Sequence, residues 1–132
     1  MHHSLPLVWR RIPERYNLIG NKCETCETPY YPARKICPKC RRKGKLVPQA
    51  MPRTGKIYSF TRVHAAPSGF EHESPYWLAI VELDNGVRLL TQIVDSPQEK
   101  IVVGARVRMV FRRIYADTAE GIIAYGYKFK VE

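Results

Sequence analysis

The stretch NKCETCETPYYPARKICPKC, residues 21–40, decides how this chain is read. It holds all four cysteines, Cys23, Cys26, Cys37 and Cys40, as two C-x2-C pairs separated by ten residues. A C-x2-C pair fits a tight knuckle whose backbone amides face the sulfurs. Two knuckles brought together by a short hairpin offer four thiolates in a tetrahedron, a geometry that suits zinc. Iron also fits four thiolates and stays open beside zinc. Two disulfides are the competing arrangement, but stable disulfides are rare in the cytoplasm. A redox C-x2-C is disfavoured, because the pair occurs twice and outside any βαβ pattern. No further Cys, His, Asp or Glu is placed as a ligand, so the site reads as closed: it folds the segment and activates no water.

The ten intervening residues, Glu27 to Ile36, include Tyr30, Tyr31 and two prolines, enough for a strand, a turn and a strand. Pro38 restricts the second knuckle. Many zinc knuckles carry Gly just after the second cysteine, where positive φ is wanted. Here Glu27 follows Cys26 and Arg41 follows Cys40, a departure from that pattern.

Working outward, residues 5–19 read as short helical pieces. Trp9, Ile12, Tyr16 and Ile19 recur at helical spacing, and Pro13 ends one piece or opens the next. Such a stripe either covers the chain's own core or docks on a partner. After the ribbon, residues 48–54 (PQAMPRT) contain two prolines and read as a linker. From Gly55 the period changes to two. KIYSFTRVH (56–64), YWLAIVELD (76–84), VRLLTQIVD (87–95), RVRMVFRRIY (106–115) and IIAYGYKFKV (122–131) read as five strands. Asn85-Gly86 joins the second to the third, the strongest short-range hairpin signal. Ile57, Ser59, Thr61 and Val63 should share one face; Val107, Met109, Phe111, Ile123, Tyr125, Tyr127 and Phe129 should point inward. The expected organisation is a helical arm (1–19), a zinc ribbon (20–47), a linker (48–54) and a five-stranded Greek-key barrel of the OB type (55–132). A five-stranded sandwich is the competing fold.

Composition narrows the function classes. The chain has 132 residues and 45% apolar residues, enough for a core and against wholesale disorder. No apolar run approaches the roughly 20 residues of a membrane span, and the N-terminus lacks a signal-type apolar stretch. The expected location is the cytoplasm. The net charge of +10 suggests a nucleic-acid footprint, but its distribution matters more. Residues 1–54 hold 12 Lys+Arg against 3 acids; residues 55–132 hold 10 against 9. The barrel, which would read a nucleic acid by default, is nearly neutral.

Taken together, the cysteine spacing, GKIYSFTRVHAAPSGF (55–70), PYWLAIVELDNGVRLLTQIV (75–94) and VGARVRMVF (103–111) closely resemble an archaeal and bacterial family first catalogued as domain of unknown function thirty-five. The resemblance covers essentially residues 7–112. It implies a rubredoxin-like zinc ribbon joined to an OB-fold, and an accessory protein rather than an enzyme. Such proteins accompany thiolase-type acyl-CoA condensing enzymes. For an archaeal member the resemblance implies a bridge between enzymes resembling acetoacetyl-CoA thiolase and 3-hydroxy-3-methylglutaryl-CoA synthase, on the route to isoprenoids, that helps line a CoA site.

Candidate contacts follow. The run ARKICPKCRRKGK (33–45) is basic without an acid. Arg34, Lys39, Arg41, Arg42 and Lys43 in it are candidates for CoA phosphates or an acidic partner surface; the same cations also offset four thiolates. Trp9, Arg10, Tyr16 and Phe70 are candidate partner contacts, Phe70 at the tip of the long Ala65–Pro75 loop. Lys56, Tyr58, Phe60 and Arg62 on the first strand, with Arg106 and Arg108, would form an alternative single-strand-binding face, although strand aromatics usually pack. Arg112, Lys128 and Lys130 are expected to point outward as well. His64 and His72 have no nucleophile to serve, so no catalytic residue is named.

Overall fold

The computed structural model describes residues 5–68, 74–116 and 123–132. Phe70 and His72 lie outside the described residues. Two short helices open the chain, α1 (Leu5–Arg10) and α2 (Ile12–Asn17), with Pro13 in the first turn of α2, where its missing N–H costs nothing. The helix stops at Asn17, two residues short of Ile19, the last position of the stripe. Leu18 adopts a left-handed conformation (φ 51°) and is fully buried, and Ile19 starts a strand.

That strand, β1 (Ile19–Cys23), is central in a three-stranded sheet between β2 (Pro29–Tyr30) and β3 (Leu46–Ala50). The strand–turn–strand expected between the cysteine pairs therefore shrinks to two residues of strand. The main partner of β1 is β3, from Ile19 opposite Ala50 to Cys23 opposite Leu46. Three of the seven residues expected as a linker, 48–50, belong to β3, and Thr54 opens the barrel; Pro48 is tolerated because β3 is an edge strand. Met51 follows directly and is buried, its N–H bonded to the carbonyl of Leu18 at 2.9 Å. Leu18 and Met51 both join the barrel's apolar cluster, so ribbon and barrel share a core.

The second sheet is a closed five-stranded barrel of β4 (Thr54–Val63), β5 (Tyr76–Leu83), β6 (Arg88–Ile93), β7 (Arg106–Ala116) and β8 (Ile123–Val131), in the order β4-β5-β6-β8-β7. The only parallel pairing among the described strands joins β6 to β8, Ile93 opposite Phe129. This is the OB topology, and the sandwich alternative falls. Asn85-Gly86 does mark the β5–β6 turn, but only Gly86 is left-handed (φ 87°): its N–H bonds to the Leu83 carbonyl and the Leu83 N–H to the Val87 carbonyl, a three-residue loop rather than the two-residue turn of the Asn-Gly signal. A single 3-10 turn, Gln98–Lys100, fills the connection before β7.

Two faces differ from the sequence reading. A bulge between Ile57 and Ser59 resets β4, so Ile57 is buried while Thr61 is exposed. On the last hairpin, Val107 and Phe129 are buried and Met109 and Tyr127 pack against the core, but Phe111, Ile123 and Tyr125 are exposed. The reason is length: β4 pairs with β7 only as far as Arg108, and beyond it the β7–β8 hairpin runs past the barrel wall. Phe111 stacks there on Tyr125 and receives the edge of Tyr16 at 4.9 Å, so α2 lies over the overhang.

Candidate functional site

The four cysteine sulfurs converge. All lie within 4.8 Å of one another, and the Cys26 and Cys37 sulfurs are 3.6 Å apart. A tetrahedral ion with bonds of about 2.3 Å sets its sulfurs about 3.8 Å apart, whereas a disulfide needs about 2.0 Å. All four are free thiols, Cys23 and Cys37 buried, Cys26 and Cys40 half-buried. The donor set therefore fits a metal ion. Glu27 and Arg41 adopt φ 58° and 54°, so both knuckles form without their customary glycine. The glycine that matters sits elsewhere: a Cβ on Gly44 would lie 2.8 Å from Cys37 Cβ and 3.1 Å from Cys23 Sγ. Nothing in the cysteine spacing or elsewhere in the sequence points to Gly44.

Neighbours tune the thiols. The Tyr30 hydroxyl lies 3.4 Å from Cys37 Sγ, and the Cys40 N–H donates to the same sulfur at 3.4 Å. The Tyr30 hydroxyl, more than any other group, lowers the Cys37 thiol from 9.0 to about 6. Reciprocally, that bond pushes Tyr30 up to about 12. Thr28 Oγ1, 3.3 Å from Cys26 Sγ, lowers the Cys26 thiol, and burial raises Cys40 to about 12. A site that favours thiolate on some ligands before the ion arrives is suited to metal capture.

Around this centre, Arg34, Lys39, Arg41, Arg42 and Lys43 are all exposed. Arg34 lies over the Tyr30 ring at 5.4 Å, and its carbonyl accepts a bond from Asn21 at 2.6 Å. On the arm, Trp9 is 74% exposed and Arg10 is exposed, whereas Tyr16 is committed to Phe111.

The alternative face is broken by the β4 bulge and departs only in part from the packing expected of strand aromatics, since the Phe60 ring meets that of Trp77 at 5.8 Å. Lys56, Tyr58, Phe60 and Arg62 are all exposed. The cations around them are engaged internally. Lys56 and Arg88 both pair with Glu82, Arg88 covers Tyr58 at 3.9 Å, and Arg62 covers Trp77 at 5.5 Å. Arg106 is bonded to Asp84 at 2.8 Å and Arg112 to Asp95 at 2.7 Å; Arg108 is exposed. Lys128, expected outward, is buried, because it lies beside the β6–β8 seam. It lines a cavity of about 450 Å³ together with Gln92, Leu78, Leu90, Tyr31 and Arg15. Gln92 Oε1 is buried there without a partner among the described atoms. The sequence reading missed this cavity, which is assembled from the arm, the ribbon and four strands, β5 to β8.

Comparison with known proteins now adds to the geometry. A rubredoxin-like zinc ribbon domain of the ChsH2 type matches residues 10–46, and a ChsH2 C-terminal OB-fold domain matches residues 48–112. A DUF35 domain-containing scaffold protein of Methanocaldococcus jannaschii is 50% identical over 122 residues, 92% of this chain and 86% of that protein. The chain belongs to the DUF35 family. A further relative, a probable enoyl-CoA hydratase alpha subunit of Thermomonospora curvata, is 32% identical over 73% of this chain, which corresponds to 30% of that protein. Among solved structures, a chain described as Ltp2-ChsH2(DUF35) aldolase matches with a TM-score of 0.66 and 27% identity, covering 99% of this chain and 96% of that one. The family match bears out the ribbon and the OB barrel read from the sequence. Among the described residues, no helix is long and apolar enough to cross a membrane.

Proposed function

We propose that the chain is a non-catalytic scaffold that holds a thiolase-type acyl-CoA condensing enzyme, with a second enzyme of the 3-hydroxy-3-methylglutaryl-CoA synthase type, in the cytoplasm. The observation that carries this reading is the 50% identity, over 92% of the chain, to a protein named as a scaffold. The whole-chain likeness to an aldolase-associated DUF35 structure and the relative named as an enoyl-CoA hydratase subunit support an enzyme partner that handles acyl chemistry. The metal is zinc in a structural role. Trp9, Arg10 and Phe70 are candidate contacts to the enzyme; Arg34, Lys39, Arg41, Arg42 and Lys43 are candidate contacts to its surface or to CoA phosphates. Native pull-down from an extract of the source cells, with mass spectrometry, should recover a condensing enzyme; recovery of none would refute the reading.

A second reading is single-strand binding, favoured by the exposure of Tyr58 and Phe60. It ranks below the first because the neighbouring Lys56, Arg88 and Arg106 are already paired with carboxylates of the barrel. A flat titration with single-stranded oligonucleotide at low salt would remove it.

A further inference from the structure

The two halves of the molecule treat their cations differently. On the barrel, four of the ten Lys and Arg of residues 55–132 (Lys56, Arg88, Arg106 and Arg112) face a carboxylate within 4 Å among the described residues. On the ribbon, the one such pair among the described residues joins Lys45 to Glu24 at 3.6 Å. Arg34, Lys35, Lys39, Arg41, Arg42 and Lys43 are exposed and have no carboxylate of the described residues within salt-bridge distance. Compensation of the metal centre does not account for them. Four thiolates around a divalent ion carry a charge of about −2. Even with Glu27 counted, about three positive charges remain in excess.

Ile36 sits in the middle of these cations and is 61% exposed. Its place is fixed from both sides. Cys37, the next residue, is buried as a ligand, and an antiparallel bridge pairs Cys37 with Arg41, closed by the Arg41 N–H on the Cys37 carbonyl at 2.7 Å. The same tight turn carries Ile36 on one side of the bridge and Arg42 on the other, each the chain neighbour of a bridged residue. The second knuckle therefore presents an exposed branched apolar side chain, next in the chain to a buried cysteine of the ligand cluster and within a segment of exposed cations. Phosphates alone, whether of a nucleotide ligand or of a nucleic-acid backbone, satisfy the cations but leave the isoleucine to be covered by some other group of the ligand. An acidic protein surface with a small apolar recess satisfies both.

We infer that this knuckle, Ile36 with Arg34, Lys39, Arg42 and Lys43, is the surface that docks on the partner enzyme, and that the docking face of that enzyme is acidic with an apolar recess for Ile36. The inference rests on the scaffold reading and says which part of this chain makes the contact.

The test uses the full chain and the thiolase-type condensing enzyme co-expressed with it. Binding is measured by isothermal titration at 50 and 300 mM salt for the wild type, I36D and the double variant R42E/K43E. Metal content per chain and thermal melting are measured on the same samples to confirm folding. The wild type should bind and weaken at least tenfold at the higher salt. I36D and R42E/K43E should each bind at least tenfold more weakly at 50 mM, with metal content unchanged. Absence of wild-type binding would refute the scaffold reading itself. Wild-type binding that both metal-loaded variants retain would overturn the docking surface alone. The surface would equally be overturned if R42E/K43E lost affinity for a single-stranded oligonucleotide or for free CoA while keeping the enzyme.

Discussion

Gly44→Ala is the sharpest probe of how this chain builds its metal centre. An added methyl would lie 2.8 Å from Cys37 Cβ, 3.0 Å from Cys40 Cβ and 3.1 Å from Cys23 Sγ. Comfortable carbon contacts are about 3.5–4.0 Å, so all three are short by about 0.5–1 Å. None of the three atoms ends a flexible side chain. The two Cβ atoms are fixed by backbone, and the sulfur is held in the ligand cluster. Overpacking a rigid site costs about 1–3 kcal/mol, and three simultaneous clashes place this one near 2–3 kcal/mol. Metal binding and folding of a ribbon are linked, so the loss should appear as weaker metal affinity, by about 30–150-fold. Competition against a chromophoric chelator reads that affinity directly. Gly86→Ala serves as the control. Gly86 has φ 87° with open space around it, so alanine there strains the backbone by about 1–2 kcal/mol without touching the centre. It should lower Tm and leave metal affinity within about twofold. Wild-type affinity and Tm in Gly44→Ala would refute the packing argument.

Two further outcomes follow from the same centre. Glu27→Gly and Arg41→Gly each relieve a left-handed non-glycine residue, at φ 58° and 54°; each should stabilise by about 0.5–1 kcal/mol, after the added entropy of glycine, and raise Tm by about 2–4 °C in calorimetry. Cys37, lowered from 9.0 to about 6, gives a contribution that is full above pH 9 and lost as pH falls through about 6. Tyr30→Phe removes the leading cause of that shift, so metal release on acid titration should move to higher pH; an unmoved midpoint would remove Tyr30 from the account.

The cysteine spacing made the metal centre legible because four ligands at fixed separations leave few geometries. The barrel was legible because period-two runs and Asn85-Gly86 report the strands and one turn. What the sequence hid was longer in range. The partner of β1 lies across the whole cysteine loop, and nothing local to Leu46–Ala50 announces the pairing; its last three residues, from Pro48, read instead as the start of the 48–54 linker. The inward set on β7 and β8 failed past Arg108 because periodicity says which residues share a face, not where the opposite wall ends. Lys128 was misplaced for a related reason: alternation along β8 cannot show that the strand borders the seam with β6.

The arm shows how one sequence pattern can hold two answers. Its apolar stripe fits both a cover for the core and a docking element, and the structure divides it at Arg11. Beyond that residue, Tyr16 meets Phe111, the Tyr31 hydroxyl donates to the Glu14 carbonyl at 3.1 Å, and Leu18 enters the barrel core. Before it, Leu5, Leu7 and Trp9 are exposed on a helix of six residues. So short a helix is marginal in water unless a neighbour supports it. The second half of the arm is therefore structural, fixing α2 over the β7–β8 overhang. The first half spends apolar surface on solvent, and under the scaffold reading its use lies on the enzyme. With the basic knuckle, it would give the chain two separate holds: one apolar and tolerant of salt, one cationic and sensitive to it. If both holds operate, R42E/K43E should abolish most of the salt dependence of binding while leaving a residual affinity that Trp9→Ala then removes; full loss from either change alone would mean a single hold.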